Sequence, residues 1–355
     1  MPKAQWKLTG QTGNTTPSAV GNFPATTTNV TFPGTPENIG GRSSTYAAFR
    51  DAGDAYASTT GSVIDTRKSF TISTWAKANE LGGNVLSQDL NRSSSLLLFA
   101  NHQKKVWKFA LSNSDADSWP YDETNEDSSL GAVSLNTWTQ LTAVYDHTTG
   151  LMRLYVNGTL AATGHHKAST SPAPIGAFQL GRFKYDGAYS PAPFKGGISN
   201  LAVYPYAAPV TAPQAAGPIH LAQAAGNCVD NDFNRLEDGN KIQIAACNGS
   251  PAQQFQMHND GTIRNQGMCL NAAGGGVVNT TPIELRTCDG SVGSQQFLPR
   301  ADGGIYHPAS GRCLDLGRFD TTPGTQLGLW DCNPSAAQRW TVPVLGTAPL
   351  PVPVP

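Results

Sequence analysis

The chain has little charge. Asp, Glu, Lys and Arg make up only 14% of its 355 residues, and the net charge is −1. So even a balance gives no electrostatic case for nucleic acid or an anionic membrane as the main partner. Long apolar runs are missing too, and no stretch approaches the roughly 20 residues of a membrane span. The opening MPKAQWKLTG lacks the apolar centre of a secretory signal. No cysteine precedes Cys228. No Cys-x2-Cys or His-x3-His spacing points to zinc. No Gly-x-Ser-x-Gly or His-Glu-x-x-His motif points to a hydrolase.

What the first part does have is Thr, Ser, Gly and Asn between short alternating apolar runs. Val30–Phe32, Ser69–Trp75, Leu96–Phe99, Trp107–Leu111, Trp138–Tyr145, Leu151–Val156, Phe178–Gly181 and Ile198–Tyr204 read as strands. No stretch keeps a 3.6 period, so this part is expected to be an all-β sandwich. Asn157-Gly158 supplies the two positive-φ positions of a type I′ hairpin turn. Trp75, Trp138, Tyr145 and Tyr155 are expected in the core rather than at a ligand.

The six cysteines form three equally spaced pairs: Cys228 with Cys247, Cys269 with Cys288, and Cys313 with Cys332. Each pair is followed by a Gln-x-aromatic closure, at Gln253 and Phe255, Gln295 and Phe297, Gln338 and Trp340. Each copy opens with an isoleucine: Ile219, Ile263 and Ile305. A repeat of about 40 residues cannot bury its apolar face alone, so three copies are expected to share one core.

These repeats resemble the ricin B-type lectin domain, a β-trefoil of three lobes, α, β and γ. The resemblance implies all-β architecture and one sugar site per lobe. Equal spacing selects lobe-local disulfides, each closing a loop of about 20 residues and worth roughly 3 kcal/mol. Such a framework is made outside the cytosol, which implies a secreted protein. With no signal at the start, Met1 is expected to be an added start, with a signal or an upstream region missing. The order of SFTISTWAK, NTWTQLTAVYD, LMRLYVNGTLAATG and FKGGISNLAVYPYA likewise resembles a laminin-G-like, concanavalin A-like jelly roll. The expected division is a sandwich over 1–208, a linker over 209–217, a trefoil over 218–343 and an extended Pro-rich tail over 344–355.

The lectin resemblance also implies the site residues. In that family an Asp lies two residues after the first cysteine and an aromatic two before the second. Helper amides stand four before the second cysteine and at the start of the closing triplet. The α lobe keeps Asp230, Gln243 and Gln253 but has Ala245 and Ala252. The β lobe has Asn271, Glu284, Arg286 and Ser294. The γ lobe keeps Asp315, Trp330 and Gln338 but has Gly328 and Ala337 at the helper positions. Only γ joins carboxylate to aromatic, so sugar, galactose-type by resemblance, is expected mainly there. The bland alternative makes Gln253, Gln295 and Gln338 repeat-closing core residues, and Asp230 and Asp315 turn formers.

One loop of the first part is acidic: SNSDADSWPYDETNEDSS, with Trp119 and Tyr121 among the carboxylates. Asp115 and Asp117 could give hard oxygens to a rim Ca²⁺, and the aromatics could meet a second glycan; the alternative is a solvated excursion between strands. His165-His166 reads as a turn. Glu123 and Glu126 lack the Glu-x-Asp-x-Glu strand pattern of jelly-roll glucanases. The expected function is therefore non-catalytic carbohydrate binding, as a lectin or as part of a larger secreted enzyme or toxin assembly. A jelly-roll glycoside hydrolase and a protein-binding adhesion module are the alternatives.

Overall fold

The computed structural model describes residues 1–50, 54–190, 192–208, 215–258, 260–289 and 293–343. The chain forms two compact units, the first drawn mainly from residues up to 208 and the second mainly from residues beyond 214.

The first unit is a jelly-roll sandwich of two antiparallel sheets. One runs Asn125–Glu126, Thr159–His165, Leu151–Val156, Thr139–Asp146, Phe70–Ala78, Gly196–Tyr204, Ala47–Phe49, Val30–Thr31, with Ala4–Trp6 added beside Gly196–Tyr204. The other runs Tyr121–Glu123, Val106–Ser112, Ser94–Asn101, Asn84–Asp89, Phe178–Leu180, Tyr56–Thr59, Ala25–Thr28, Thr15–Thr16. Alternation explains the layering, because successive side chains point to opposite faces. Phe70, Ile72 and Ala76 of one sheet and Leu96, Leu98, Phe109 and Leu111 of the other are all buried. The hairpin at Asn157-Gly158 turns with φ of 51° and 80°. Tyr145 and Tyr155 are core residues. Trp75 and Trp138 are only half-buried, and the Trp138 indole donates to Glu37 Oε2 at 2.8 Å.

Two expectations for this unit change. The acidic segment is not a single excursion. Tyr121–Glu123 joins one sheet and Asn125–Glu126 the other. His166 is no turn residue but fully buried. Its Nδ1 lies 2.8 Å from Asp122 Oδ2 and its Nε2 2.7 Å from Ser171 Oγ, so both ring nitrogens are satisfied inside the fold.

The second unit is a trefoil. Its lobes are built on the hairpins Ala224–Asn231 with Asn240–Ala246, Met268–Ala272 with Ile283–Arg286, and Arg312–Asp315 with Gly328–Asp331. Equivalent side chains meet in one core: Ile219, Ile263 and Ile305; Val229, Leu270 and Leu314; Phe255, Phe297 and Trp340. The disulfides are Cys228–Cys247, Cys269–Cys288 and Cys313–Cys332, each spanning 19 positions. The expected linker is shortened at its end: Ala215–Gly217 pairs with Phe255–Met257, because its backbone continues an open sheet edge. Residues 209–214 and the tail at 344–355 lie outside the described residues.

Candidate functional site

Each lobe hairpin sets one residue pair face to face. Asp230 stands opposite Gln243, Asn271 opposite Glu284, and Asp315 opposite Gly328. One step along the same face, Cys228, Cys269 and Cys313 oppose Ala245, Arg286 and Trp330. Side chains two apart on a strand share a face, so Asp315 and Trp330 project from the same side of the γ hairpin.

The closing glutamines act alike. Gln253 Nε2 donates to Ala246 O at 2.9 Å, and Gln253 Oε1 accepts from Asn248 N at 2.8 Å. Gln295 holds Thr287 O and Asp289 N in the same way, at 3.0 and 2.8 Å. Gln338 holds Asp331 O and Asn333 N at 3.1 and 2.8 Å. All three are buried at the base of their lobes. They brace the chain on either side of the second cysteine, so the core reading of these residues is the structural one. In α and γ the same amide also reaches the carboxylate: Gln253 Nε2 to Asp230 Oδ2 and Gln338 Nε2 to Asp315 Oδ2, both 3.0 Å. Gln253 and Gln338 therefore brace a carboxylate as well as the chain.

The lobes then diverge. Asp230 is closed off, because Gln243 Nε2 donates to its second oxygen at 3.2 Å. In β, Asn271 Nδ2 donates to Glu284 Oε1 at 2.9 Å, and its Oδ1 accepts from Ser294 Oγ at 2.8 Å. In γ, Gly328 offers no side chain, and among the described residues Asp315 Oδ1 has no donor. Asp315 is buried, and that desolvation raises its pKa above the usual carboxylate value while the Gln338 hydrogen bond pulls it back. Beside it opens a cleft of about 770 Å³, lined by Asp315, Trp330, Arg318, Phe319, Gln326 and Thr280 among others. Trp330 is 42% exposed, unlike the core tryptophan Trp340 at 3%.

Thr280, Arg318, Phe319 and Gln326 were not singled out from sequence. Thr280 comes from the β lobe and is fixed by donating its amide to Leu329 O at 2.8 Å. Asn279 ties that loop to the γ hairpin by accepting from Arg312 Nε at 2.7 Å and Asp331 N at 3.0 Å. Arg318 carried a readable signal: it occupies the turn position held by Phe233 in α and Gly274 in β.

The acidic residues of the sandwich are spoken for. Asp115 accepts the amides of Asn91, Arg92 and Ser93 at 2.8–3.0 Å and so caps a turn. Asp117 pairs with the Arg92 guanidinium. The two carboxylates, expected as Ca²⁺ ligands, thus both engage the turn at Arg92, Asp115 through its amides and Asp117 through its guanidinium. Among the described residues no group of three or more His, Cys, Asp or Glu is placed to hold a metal ion. Lys108, buried, pairs with Glu123 and lies 3.1 Å from buried Glu126. Glu123 in turn accepts the Trp119 indole N–H at 2.7 Å.

Residues 215–340 match the family model of the Ricin-type beta-trefoil lectin domain. The second unit is a ricin-type β-trefoil lectin domain. Residues 51–212 match the Concanavalin A-like lectin/glucanases superfamily. Among curated relatives, Serine protease 1 of Rarobacter faecitabidus is 33% identical over 32% of this chain and 21% of its own length. Ribosome-inactivating protein PMRIPm of Polygonatum multiflorum is 35% identical over 34% of this chain and 20% of its own. The chain thus spans about a fifth of these relatives. A solved structure of a non-toxic homologue of type II ribosome-inactivating proteins from Momordica charantia, in complex with α-methyl-D-galactoside, is 22% identical. It covers 39% of this chain and 49% of that one, with a TM-score of 0.34. The lectin-domain match supports carbohydrate binding by the second unit.

Proposed function

We propose that the chain is a non-catalytic carbohydrate-binding protein that holds a galactose-type sugar mainly in the γ lobe of its lectin domain. One observation carries this reading: only in γ does a carboxylate with an unpartnered oxygen share an open cleft with an exposed tryptophan. Asp315 would accept hydrogen bonds from two vicinal hydroxyls. Trp330 would cover the apolar C–H face of the ring. Stacking contributes on the order of 1 kcal/mol, by analogy with aromatic pairs, and each hydrogen bond to a carboxylate about 1.5–3 kcal/mol. With Gly328 and Ala337 at the helper positions, the net affinity is weak, roughly −4 to −6 kcal/mol. Asp230 spends both oxygens on Gln243 and Gln253, and Ala245 gives no ring, so α is the poorer site.

The reading extends to a secreted protein that targets a larger enzyme or toxin assembly to glycans; the names of the two curated relatives agree with this. Lys108 engages both Glu123 and Glu126, which disfavours a hydrolytic carboxylate pair there. A second glycan site on the sandwich is favoured at Trp119. Its ring is 46% exposed and lies 4.7 Å from Tyr121 and 6.1 Å from Tyr185, with its indole anchored on Glu123.

Calorimetric titration with galactosides and cell-wall polysaccharides tests the assignment. Asp315→Ala and Trp330→Ala should each weaken binding at least fivefold, and Asp230→Ala should leave it intact. The reverse pattern would move the site to α. Parent-like binding by all three would move it to Trp119.

A further inference from the structure

We propose that the γ cleft takes an acidic oligosaccharide, and that Arg318 reads the anionic substituent. This rests on the γ-lobe reading and adds a ligand class to it.

A cleft of about 770 Å³ is larger than one hexose needs; pockets of roughly 300–1,000 Å³ take drug-sized ligands. Its walls come from two lobes, with Thr280 and Pro282 facing the γ turn Gly317–Phe319. An oligosaccharide with one ring on Trp330 would therefore run on toward that turn. Two charged side chains line the cleft, Asp315 and Arg318. Asp315 is buried and braced by Gln338. Arg318 is exposed, and among the described residues its guanidinium has no hydrogen-bond or ion-pair partner. Arg312, by contrast, is engaged with Asn279, Val277 O and Asp331.

Arg318 is also held in a left-handed conformation, φ 59°. The β lobe fills the equivalent position with Gly274, φ 62°, which adopts it freely. An L-residue there pays a steric cost that glycine does not, so the γ turn carries an arginine where glycine would fit the backbone better.

A guanidinium matches a carboxylate or a sulfate with paired N–H donors. Asp315 repels an anion on the sugar it holds. The acid must then lie on a neighbouring residue of the same glycan, toward Arg318. Sialylated or uronate-bearing galactosides and sulfated galactosides share this chemistry.

The test is titration of the full chain with lactose, sialyllactose and a sulfated lactose, at low and at physiological salt. At low salt the acidic ligands should bind about two- to fivefold tighter than lactose, the range of a solvent-exposed ion pair. Salt should shrink that margin. The larger margin identifies carboxylate or sulfate as the group read. Arg318→Gln should erase the margin between the acidic ligands and lactose. Arg318→Gly should do the same while folding at least as stably, which separates recognition from a structural role. Equal affinity of the parent for all three ligands, or a margin that survives in Arg318→Gln, overturns the proposal while leaving the γ site standing. Undiminished lactose binding by Asp315→Ala overturns the γ-lobe reading itself, and this proposal with it.

Discussion

Replacing Asp315 with Asn should move stability and binding in opposite directions. The side chain keeps its shape, and Gln338 Nε2 keeps an acceptor in place of Oδ2. What goes is a charge that burial disfavours, on a group with one oxygen unpartnered. Relieving it should stabilise the lectin domain by about 1 kcal/mol, the low end for an unsatisfied buried group. Binding should suffer. Hydrogen bonds to a charged group contribute about 1.5–3 kcal/mol and neutral ones about 0.5–1.5. Losing the charge at two sugar hydroxyls therefore costs roughly 2–3 kcal/mol, or about 30- to 150-fold in Kd. Differential scanning calorimetry reads the first quantity, since the transition that shifts with galactoside belongs to the lectin domain. Titration reads the second. Acid should act in the same sense. The raised pKa means that binding fades as pH falls through it, while the folded form gains relative to an unfolded chain with the ordinary, lower value. If Asp315→Asn lowers the melting temperature, the account of a desolvated carboxylate is wrong. If it binds like the parent, the site is wrong.

Other outcomes follow from particular groups. His307 is fully buried, and burial pushes its pKa from 6.5 down to about 4. Its stabilising contribution is complete above the unfolded value and is lost as pH falls from 6.5 toward 4. His307→Gln should flatten that part of the lectin-domain melting profile, and an unchanged slope would count against it. Lys108→Met should destabilise the sandwich by about 3–5 kcal/mol in denaturant melts, because it strands buried Glu126. Adding Glu126→Gln should recover much of the loss, and a single variant as stable as the parent would refute the pairing. Replacing Cys313 and Cys332 by Ser should cost roughly 3 kcal/mol. An equal loss when the same two serines are placed in the Asp315→Asn variant would show that disulfide and carboxylate act independently.

The architecture was legible because it rests on local patterns. Alternation marked Phe70–Ala78, Thr139–Asp146 and Leu151–Val156, and Asn157-Gly158 marked the turn from the last of these into Thr159–His165. Equal cysteine spacing gave the lobes and their disulfides. What escaped was long-range pairing. Asp115 and Asp117 look like metal ligands along the chain, yet their partners sit near Arg92, more than 20 positions away, beyond any sequence period. His166 beside His165 suggested a turn, while its partner Asp122 came from the acidic segment. The cleft was half visible: Asp315 and Trp330 stood at repeat positions, but Thr280 enters from another lobe through backbone pairing that no motif records.

The three lobes also suggest why binding can change without disturbing the fold. The core isoleucines, closing aromatics and glutamine braces are present in all three, and none of them needs a ligand. Recognition depends on other positions: the residue two after the first cysteine, its partner across the hairpin and the left-handed turn. Where the partner is Gln243, Asp230 is satisfied within the protein and becomes structural. Where Asn271 replaces the carboxylate, its side chain is committed to Glu284 and Ser294. Where the partner is Gly328, the carboxylate keeps one oxygen open toward the cleft. On this argument the missing helper amide of γ has two effects. It removes a possible contact to the sugar, and it leaves Asp315 available and the cleft wide. Gly328→Gln separates them. Its Cβ would meet the backbone oxygen of Thr281 at 3.3 Å, which must give by a few tenths of an ångström. If openness matters more, the variant should fold well, bind small galactosides no better than the parent and lose longer glycans. If it tightens both, the absent amide was a lost contact and nothing more.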